Sequence, residues 1–289
     1  MSWRTVVISS SAKLDYQLGF LVVRKEETVK VHLDEVSVLL IESTAVSLTT
    51  ALLSELVKKK IKVIFCDEKR NPSSELVSFY GSHDTSLKVR QQVKWSNEIK
   101  TEVWTSIVSE KIRKQADLLK ERNCSESELL FQYLEEIRLG DSSNREGHAA
   151  KVYFNALFGK SFSRSDENSV NAALNYGYSL ILSVVNREVS VNGYVTQLGL
   201  FHDNVFNPFN LGSDLMEPFR PLVDRQVLEK IPVKFEHEEK LYMLEILQKE
   251  VIISGRHETI LNAIKIYCKS IFDALNEKDA SLIRFYHEL

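Results

Sequence analysis

The stretch "FYGSHDTS" (residues 79–86) separates two textures of sequence. Its glycine, serines, aspartate and threonine suit a turn or link better than the middle of a helix or strand. Before it lie short runs rich in Val and Ile, parted by polar or glycine-containing turns: "WRTVVIS" (3–9), "GFLVVRK" (19–25), "TVKVHL" (28–33) and "VSVLLIES" (36–43). These are expected to be strands. One helix is expected among them, over "SLTTALLSELVKKK" (47–60), followed by a return to strand in "IKVIFCD" (61–67). After the stretch, apolar residues recur three and four apart, as in "VWTSIVSEKIRKQADLLKER" (103–122) and "ETILNAIKIYCKSIFDAL" (258–275). The expected fold is therefore α+β. A small β-rich domain covers residues 1–82, a link covers 83–92, and a larger all-helical domain covers 93–289.

The bulk numbers exclude more than they assign. With 289 residues, 44% hydrophobic and 27% charged, the chain is long enough for two ordinary globular domains. No apolar run approaches the roughly 20 residues that span a bilayer, and the start lacks the apolar core of a signal peptide. Cys66, Cys124 and Cys268 are odd in number and far apart, which argues against a paired-cysteine metal knuckle and for reduced thiols in a cytoplasmic setting. The formal net charge of −3 gives no global attraction to nucleic acid, so such binding would need a local basic patch.

The informative interruption of the helical half is "VNGYVTQLGLFHDNVFNPFNLGSDLMEPFRPLVD" (191–224). An irregular segment of that length inside a helical domain usually serves function. It gathers His202, Asp203, Asp214 and Glu217 within sixteen positions. Asp214 and Glu217, three apart, would share a helix face, and Pro218 and Pro221 follow. Two readings stand. The acids open a helix at its positive end, with proline near the first position; or, with His202, they offer oxygen and nitrogen to a hard divalent cation. A third acid, Glu146, sits in "DSSNREGHAAKVYFNALFG" (141–159), where Ser143 and Glu146 match a capping box. Packed alanines beyond it place Glu146 at the start of a buried helix, where a carboxylate needs a partner or a cation.

Four segments in order, "SSNREGHAAKVYFNALFG" (142–159), "NAALNYGYSLILSVV" (171–185), "LGLFH" (198–202) and "SDLMEPFRPLVD" (213–224), closely resemble the CRISPR-associated integrase that acquires new spacers. The variant resembled is that of type II systems. The likeness extends over essentially the whole chain, including "WRTVVI" (3–8) and "VIFCDEKRNPS" (63–73). The resemblance implies a β-rich domain used for homodimerisation and a helical catalytic domain. It also implies a small ferredoxin-like partner dimer, and insertion of a short captured duplex at the leader end of a CRISPR array. Catalysis would be attack by a DNA 3′-hydroxyl on a repeat phosphodiester, dependent on Mg²⁺ or Mn²⁺. The implied metal ligands are Glu146, His202 and Glu217, many relatives having aspartate at the last position. Asp214 becomes auxiliary, and the prolines are expected to end regular helix and aim Arg220 at the DNA backbone. The RNA-guided effector nuclease and another adaptation protein are further candidate partners. A nuclease that only hydrolyses and a non-enzymatic DNA-binding scaffold are the alternatives.

DNA would be held by local charge. Residues 88–122 carry nine Lys or Arg against five Asp or Glu, a net of +4, and "VKKKIK" (57–62) with "EKR" (68–70) forms a second cluster. Such faces grip phosphate without reading sequence, although paired, solvated helix faces look the same. Arg113, Lys114 and Lys151 are the candidate phosphate contacts, and Tyr178 is a candidate stacking or hydrogen-bonding group.

Overall fold

In a computed structural model, residues 4–76 and 82–288 are described. Trp3 of the first expected strand and positions 79–81 of the boundary stretch lie outside them. The chain divides into two compact units, Met1–His83 and Asp84–Leu289.

The first unit contains β1 (Arg4–Ile8), β2 (Ala12–Gln17), β3 (Phe20–Arg24), β4 (Thr28–His32), β5 (Val36–Ile41), β6 (Val46–Leu48), helix α1 (Thr50–Lys58), β7 (Lys62–Cys66) and β8 (Pro72–Glu75). One sheet runs β1-β5-β7-β8, parallel except for the last pair; the other runs β4-β3-β2-β6. Every residue of β5 is buried, as a parallel strand covered on both faces requires. Its apolar residues are thus consumed inside the unit. Strands β2, β6 and β8 escape a sequence reading because they are short or polar. In β2 only Ala12 and Leu14 turn fully inward, while Lys13 faces out. Leu18 and Gly19, both at positive φ, close the hairpin between β2 and β3. Leu14, Leu21, Leu33, Leu39, Leu52 and Val63 centre the core.

The second unit contains α2 (Thr85–Val93), α3 (Asn97–Glu121), α4 (Ser127–Glu136), α5 (Arg145–Phe158), α6 (Ser169–Val191), α7 (Asn210–Leu215), α8 (Arg220–Glu229), α9 (His237–Leu244) and α10 (Ile260–Glu277). Most of the expected link is therefore the helix α2. The domain is also not all-helical: β9 (Glu250–Ile253), β10 (Arg256–Thr259) and β11 (Tyr286–His287) form a small antiparallel sheet. The signal was "VIISGRHET" (251–259), in which Ser254 and Gly255 adopt positive φ at a two-residue hairpin turn.

Helix α3 is the spine of this unit. It buries Ile99, Val103, Trp104, Ile107, Ile112 and Leu119, and packs against α4, α5 and α8. Helices α6 and α8 meet at Gly177, where a Cβ would stand 2.4 Å from Val223 Cγ1. Only glycine allows that approach, and it brings the inward faces of α6 and α8 together beside α3 and α5. No helix among the described residues is long and apolar enough to cross a membrane.

Candidate metal centre

Four separate pieces of chain deliver the acids and the imidazole. Glu146 lies in the first turn of α5. The capping box expected there does not form; Asp141 instead accepts from the backbone N–H of Arg145 (2.7 Å) and Glu146 (3.0 Å). With the N-terminus satisfied by Asp141, the Glu146 carboxylate is released for the cleft. Ser143 turns back to the carbonyl of Glu136. His202 lies in the irregular run between α6 and α7, Asp214 lies within α7, and Glu217 opens a 3-10 turn, Glu217–Phe219, that leads into α8.

Pro218 and Pro221 occupy the second positions of that turn and of α8. They start helical structure here, because a proline at such a position gives up only an N–H that has no helical partner. Regular helix does stop just before them, since α7 ends at Leu215, and the prolines then lead off the 3-10 turn and α8.

Glu146, His202, Glu217 and Arg220 line one cleft of about 250 Å³ together with Lys111, Gln115, Arg164, Tyr178 and Asp224. Lys111 of α3 lies at its centre. Its ammonium donates to both Glu146 and Glu217, and its side chain is only 7% exposed. Burial pulls the Lys111 pKa down, but the two carboxylates outweigh burial and raise it. Glu217 also accepts from Arg220 Nε at 2.8 Å. Burial alone would raise the pKa of Glu217; the charges of Lys111 and Arg220 instead hold it at about 2.

Asp214 is fully buried and does not face the cleft. It accepts from the backbone N–H of Leu200 (2.6 Å), Phe201 (3.1 Å) and His202 (3.1 Å), and pairs with His202 Nδ1 at 2.5 Å. That bond raises the His202 pKa against the opposing effect of burial. With Nδ1 committed, Nε2 is the ring nitrogen left for a ligand. Trp104 and Phe201, themselves stacked at 4.5 Å, meet the imidazole edge-on at 5.8 and 5.7 Å. Gly199 makes this possible: a Cβ there would come within 2.3 Å of the His202 carbonyl oxygen.

Among the described residues no three His, Cys, Asp or Glu side chains are already gathered as a metal cage. The cation between the carboxylates is Lys111. The donor set nevertheless fits a hard divalent ion. It offers two carboxylates and an imidazole whose second nitrogen rests on a buried carboxylate, the usual outer support of a ligating histidine. Gln115, buried in the cleft wall, has a carboxamide oxygen with no hydrogen-bond partner among the described residues, a spare acceptor beside the site.

The other sequence candidates scatter. Lys114 is 5% exposed; it donates to the carbonyl of Tyr286 at 2.7 Å, pairs with Glu110 at 3.2 Å and lies 3.4 Å over the Tyr286 ring. It is a buried structural cation, which corrects its assignment to phosphate. Tyr178 is also turned inward: its hydroxyl donates to Asp224, and Arg220 and Arg164 lie 4.6 and 5.4 Å from its ring centre. A stacked base would have to displace a guanidinium. Arg113, half exposed, is ion-paired with Glu110, whereas Lys151 is exposed on α5.

Sequence reasoning missed three features. Lys111 was hidden in the basic run of α3, although it falls on the same face as the buried Ile107 and Val108. Arg164 holds Asn175 at 2.6 Å and also contacts Asn171. Asp224, buried between Tyr153 (2.9 Å) and Tyr178, is pushed up to about 6 by burial, with the two phenols opposing.

Comparison with known proteins then identifies the family. The family model described as "CRISPR associated protein Cas1" matches residues 5–252. The chain belongs to the Cas1 family. The CRISPR-associated endonuclease Cas1 of Neisseria meningitidis serogroup C (strain 8013) is 33% identical over 291 residues, covering 98% of this chain and 96% of that protein. Cas1 1 of Francisella tularensis subsp. novicida (strain U112), also called a CRISPR-associated endonuclease, is 25% identical over 270 residues, covering 86% and 83%. Among solved structures, a casposase bound to integration product superposes with a TM-score of 0.77 at 17% identity, over 97% of this chain and 93% of that one. A Cas1 protein from Thermotoga maritima gives 0.72 at 18%, over 94% and 97%. A Cas6-RT-Cas1–Cas2 complex gives 0.75 at 18% over 99% of this chain, which spans 36% of that longer one. At such identities the structural likeness is one of fold.

Proposed function

We propose that this Cas1 chain is a metal-dependent DNA integrase of CRISPR adaptation, of the type II variant, using Glu146, His202 and Glu217 as ligands for Mg²⁺ or Mn²⁺. The observation that carries the reading is the arrival of these three side chains, from separate elements, at one cleft that also holds Arg220. The family membership and the segments 142–159, 198–202 and 213–224 support it.

When bound, the ion would supply Lewis acidity and orientation for in-line attack of a 3′-hydroxyl on a phosphodiester. The chain's own residues prepare for this in distinct ways. Asp214 fixes the ring and tautomer of His202. Arg220 holds one oxygen of Glu217 while its guanidinium stays at the cleft wall, positioned for charge-assisted contact with a phosphate. Lys151, exposed one turn beyond Glu146, is a second phosphate contact. No side chain need form a covalent intermediate: Cys66 and Cys268 are buried, and burial pushes the Cys268 thiol well up.

The substrates proposed are a short captured duplex and the repeat at the leader end of a CRISPR array. The partners are a second copy of the chain, paired through the β-rich unit, and a small ferredoxin-like protein dimer, in a cytoplasmic setting. The solved Cas1–Cas2 complex and the casposase with integration product, alike in fold, support this assembly and chemistry. One observation favours the scaffold alternative: Lys111 already bridges both carboxylates as an ion pair. The deciding test is an integration assay with a 3′-hydroxyl duplex and a repeat-bearing plasmid, with and without the small partner, across Mg²⁺, Mn²⁺ and chelator. Joined products that vanish with chelator support the integrase; nicks alone indicate hydrolysis, and metal-indifferent DNA binding without products indicates a scaffold.

A further inference from the structure

We propose that Lys111 is a positioning residue of this centre, a resident cation that a divalent ion must displace. The inference rests on the reading of Glu146, His202 and Glu217 as metal ligands.

The ammonium of Lys111 reaches two carboxylates that lie 71 positions apart in sequence, on the first turn of α5 and the turn before α8. Both are partly or wholly shielded from water, with side-chain exposures of 31% for Glu146 and 5% for Glu217. Two such carboxylates facing each other without a cation would repel at short range in a medium that screens poorly. Lys111 removes that repulsion, so the cleft keeps its shape before any ion arrives.

The remaining contacts show why exchange needs little rearrangement. Glu217 is held through its other oxygen by Arg220, and His202 is held by Asp214; neither support involves Lys111. Withdrawal of one flexible four-carbon side chain therefore leaves both aimed, whereas withdrawing a forked guanidinium would break paired bonds at once. A +2 ion gains from both carboxylates only when the +1 charge between them moves aside. Lys111 and the metal are thus competitors for one position, and removing the lysine should tighten metal binding.

The experiment is a Mn²⁺ titration of the full chain followed by electron paramagnetic resonance, with thermal unfolding recorded in EDTA and in Mn²⁺. The proteins are wild type, Lys111→Met, Lys111→Gln, Lys111→Arg and Glu217→Gln. Lys111→Met should bind Mn²⁺ at least about thirtyfold more tightly, the effect of deleting one unit charge about 4 Å from a doubly charged ion even when screened as in water. Its Tm should fall in EDTA and recover in Mn²⁺, a recovery that loss of mere packing would not give. Lys111→Arg, retaining the charge, should bind no more tightly than wild type. If Lys111→Met does not fold, Lys111→Gln carries the same test with a polar neutral side chain. Wild-type binding with unchanged or weaker affinity in the neutral variants overturns the role of Lys111 and leaves the metal site standing. Absence of binding in every variant, or Glu217→Gln binding like wild type, overturns the site itself and this inference with it.

Discussion

Two buried acids lining the cleft, Glu217 and Asp224, are seven residues apart and have opposite electrostatic fates. Glu217 faces Lys111 and Arg220 and is held at about 2, so it stays charged. Asp224 faces the hydroxyls of Tyr153 and Tyr178 and is raised to about 6. Burial is the largest influence on both and pushes both upward; what differs is whether positive charges in direct contact answer it, as at Glu217, or chiefly two phenolic hydroxyls with Arg220 and Arg164 acting without a bond, as at Asp224. The cationic wall keeps Glu217 ionised, as its proposed ligand role requires. The tyrosine wall is built to tie α5, α6 and α8 together at one carboxylate.

The strongest way to break this contrast is to remove one acid from each wall. Glu217→Ala, like Glu146→Ala or His202→Ala, should abolish strand transfer; the two glutamate variants should leave capture of duplex DNA near wild type or slightly tighter, since negative charge facing phosphate is lost. Asp224→Asn should retain measurable strand transfer, because its contacts are to tyrosines and not to the ligand set. Single-turnover integration beside fluorescence anisotropy distinguishes the two. Equal loss of strand transfer in both variants would show that the walls are one functional unit.

The same pair should respond to pH with opposite signs in chelator. Glu217 has its folded pKa below its ordinary value of 4.5, so its contribution is complete above that pH and is lost as pH falls toward about 2. The displacement corresponds to about 3 kcal/mol, so Glu217→Gln should be less stable than the parent by up to this amount above pH 4.5, a deficit that closes as pH falls toward about 2. Asp224 has its folded pKa above 3.8, so the folded state retains a proton between about 4 and 6 that the unfolded chain has lost. Parent stability therefore falls as pH rises through that window, by up to about 3 kcal/mol, and Asp224→Asn should gain relative to it. Urea unfolding at pH 3, 5 and 7 reads both slopes. Parallel curves for the two variants would refute the contrast.

Asp214 sharpens the comparison, since it too is buried but is answered by backbone N–H groups and an imidazole. Asp214→Asn keeps the shape but reverses the hydrogen bond to His202. Metal affinity or integration rate should drop about 10- to 100-fold, as for other outer supports of ligating histidines. An unchanged Mn²⁺ affinity would mean that His202 is not a ligand.

These walls were unequally legible in the sequence. The change of texture near residues 79–86 gave the two units, and Val- and Ile-rich runs gave β1, β3, β4, β5 and β7. The strands β2, β6 and β8 hide because polar edge strands carry little periodic signal, and the sheet β9–β11 hides between two helices. At the site, the acid-rich irregular run pointed to His202, Asp214 and Glu217, and the family motifs added Glu146. Lys111 and Asp224 were not legible. A lysine within a basic helix and an aspartate after two prolines look like solvated charge until the helices around Gly177 bring their faces inward.

The smallest expected effect separates the exposed basic surface from the buried one. Lys151 stands free on α5, Arg113 is half exposed, and Lys114 is enclosed by Glu110 and Tyr286. If Lys151 contacts a phosphate, Lys151→Glu should reduce the slope of log affinity against log salt by about 0.9, the release expected for one contact on B-form DNA. Arg113→Glu should do less, because Glu110 already engages that guanidinium. Lys114→Met should leave the slope unchanged and lower thermal stability instead, since it strips a buried partner from Glu110. Salt titrations by anisotropy, with Tm measured alongside, assign each residue. A slope change for Lys114→Met without loss of Tm would mean that this lysine leaves its buried pocket to meet DNA, and that α3 opens on binding.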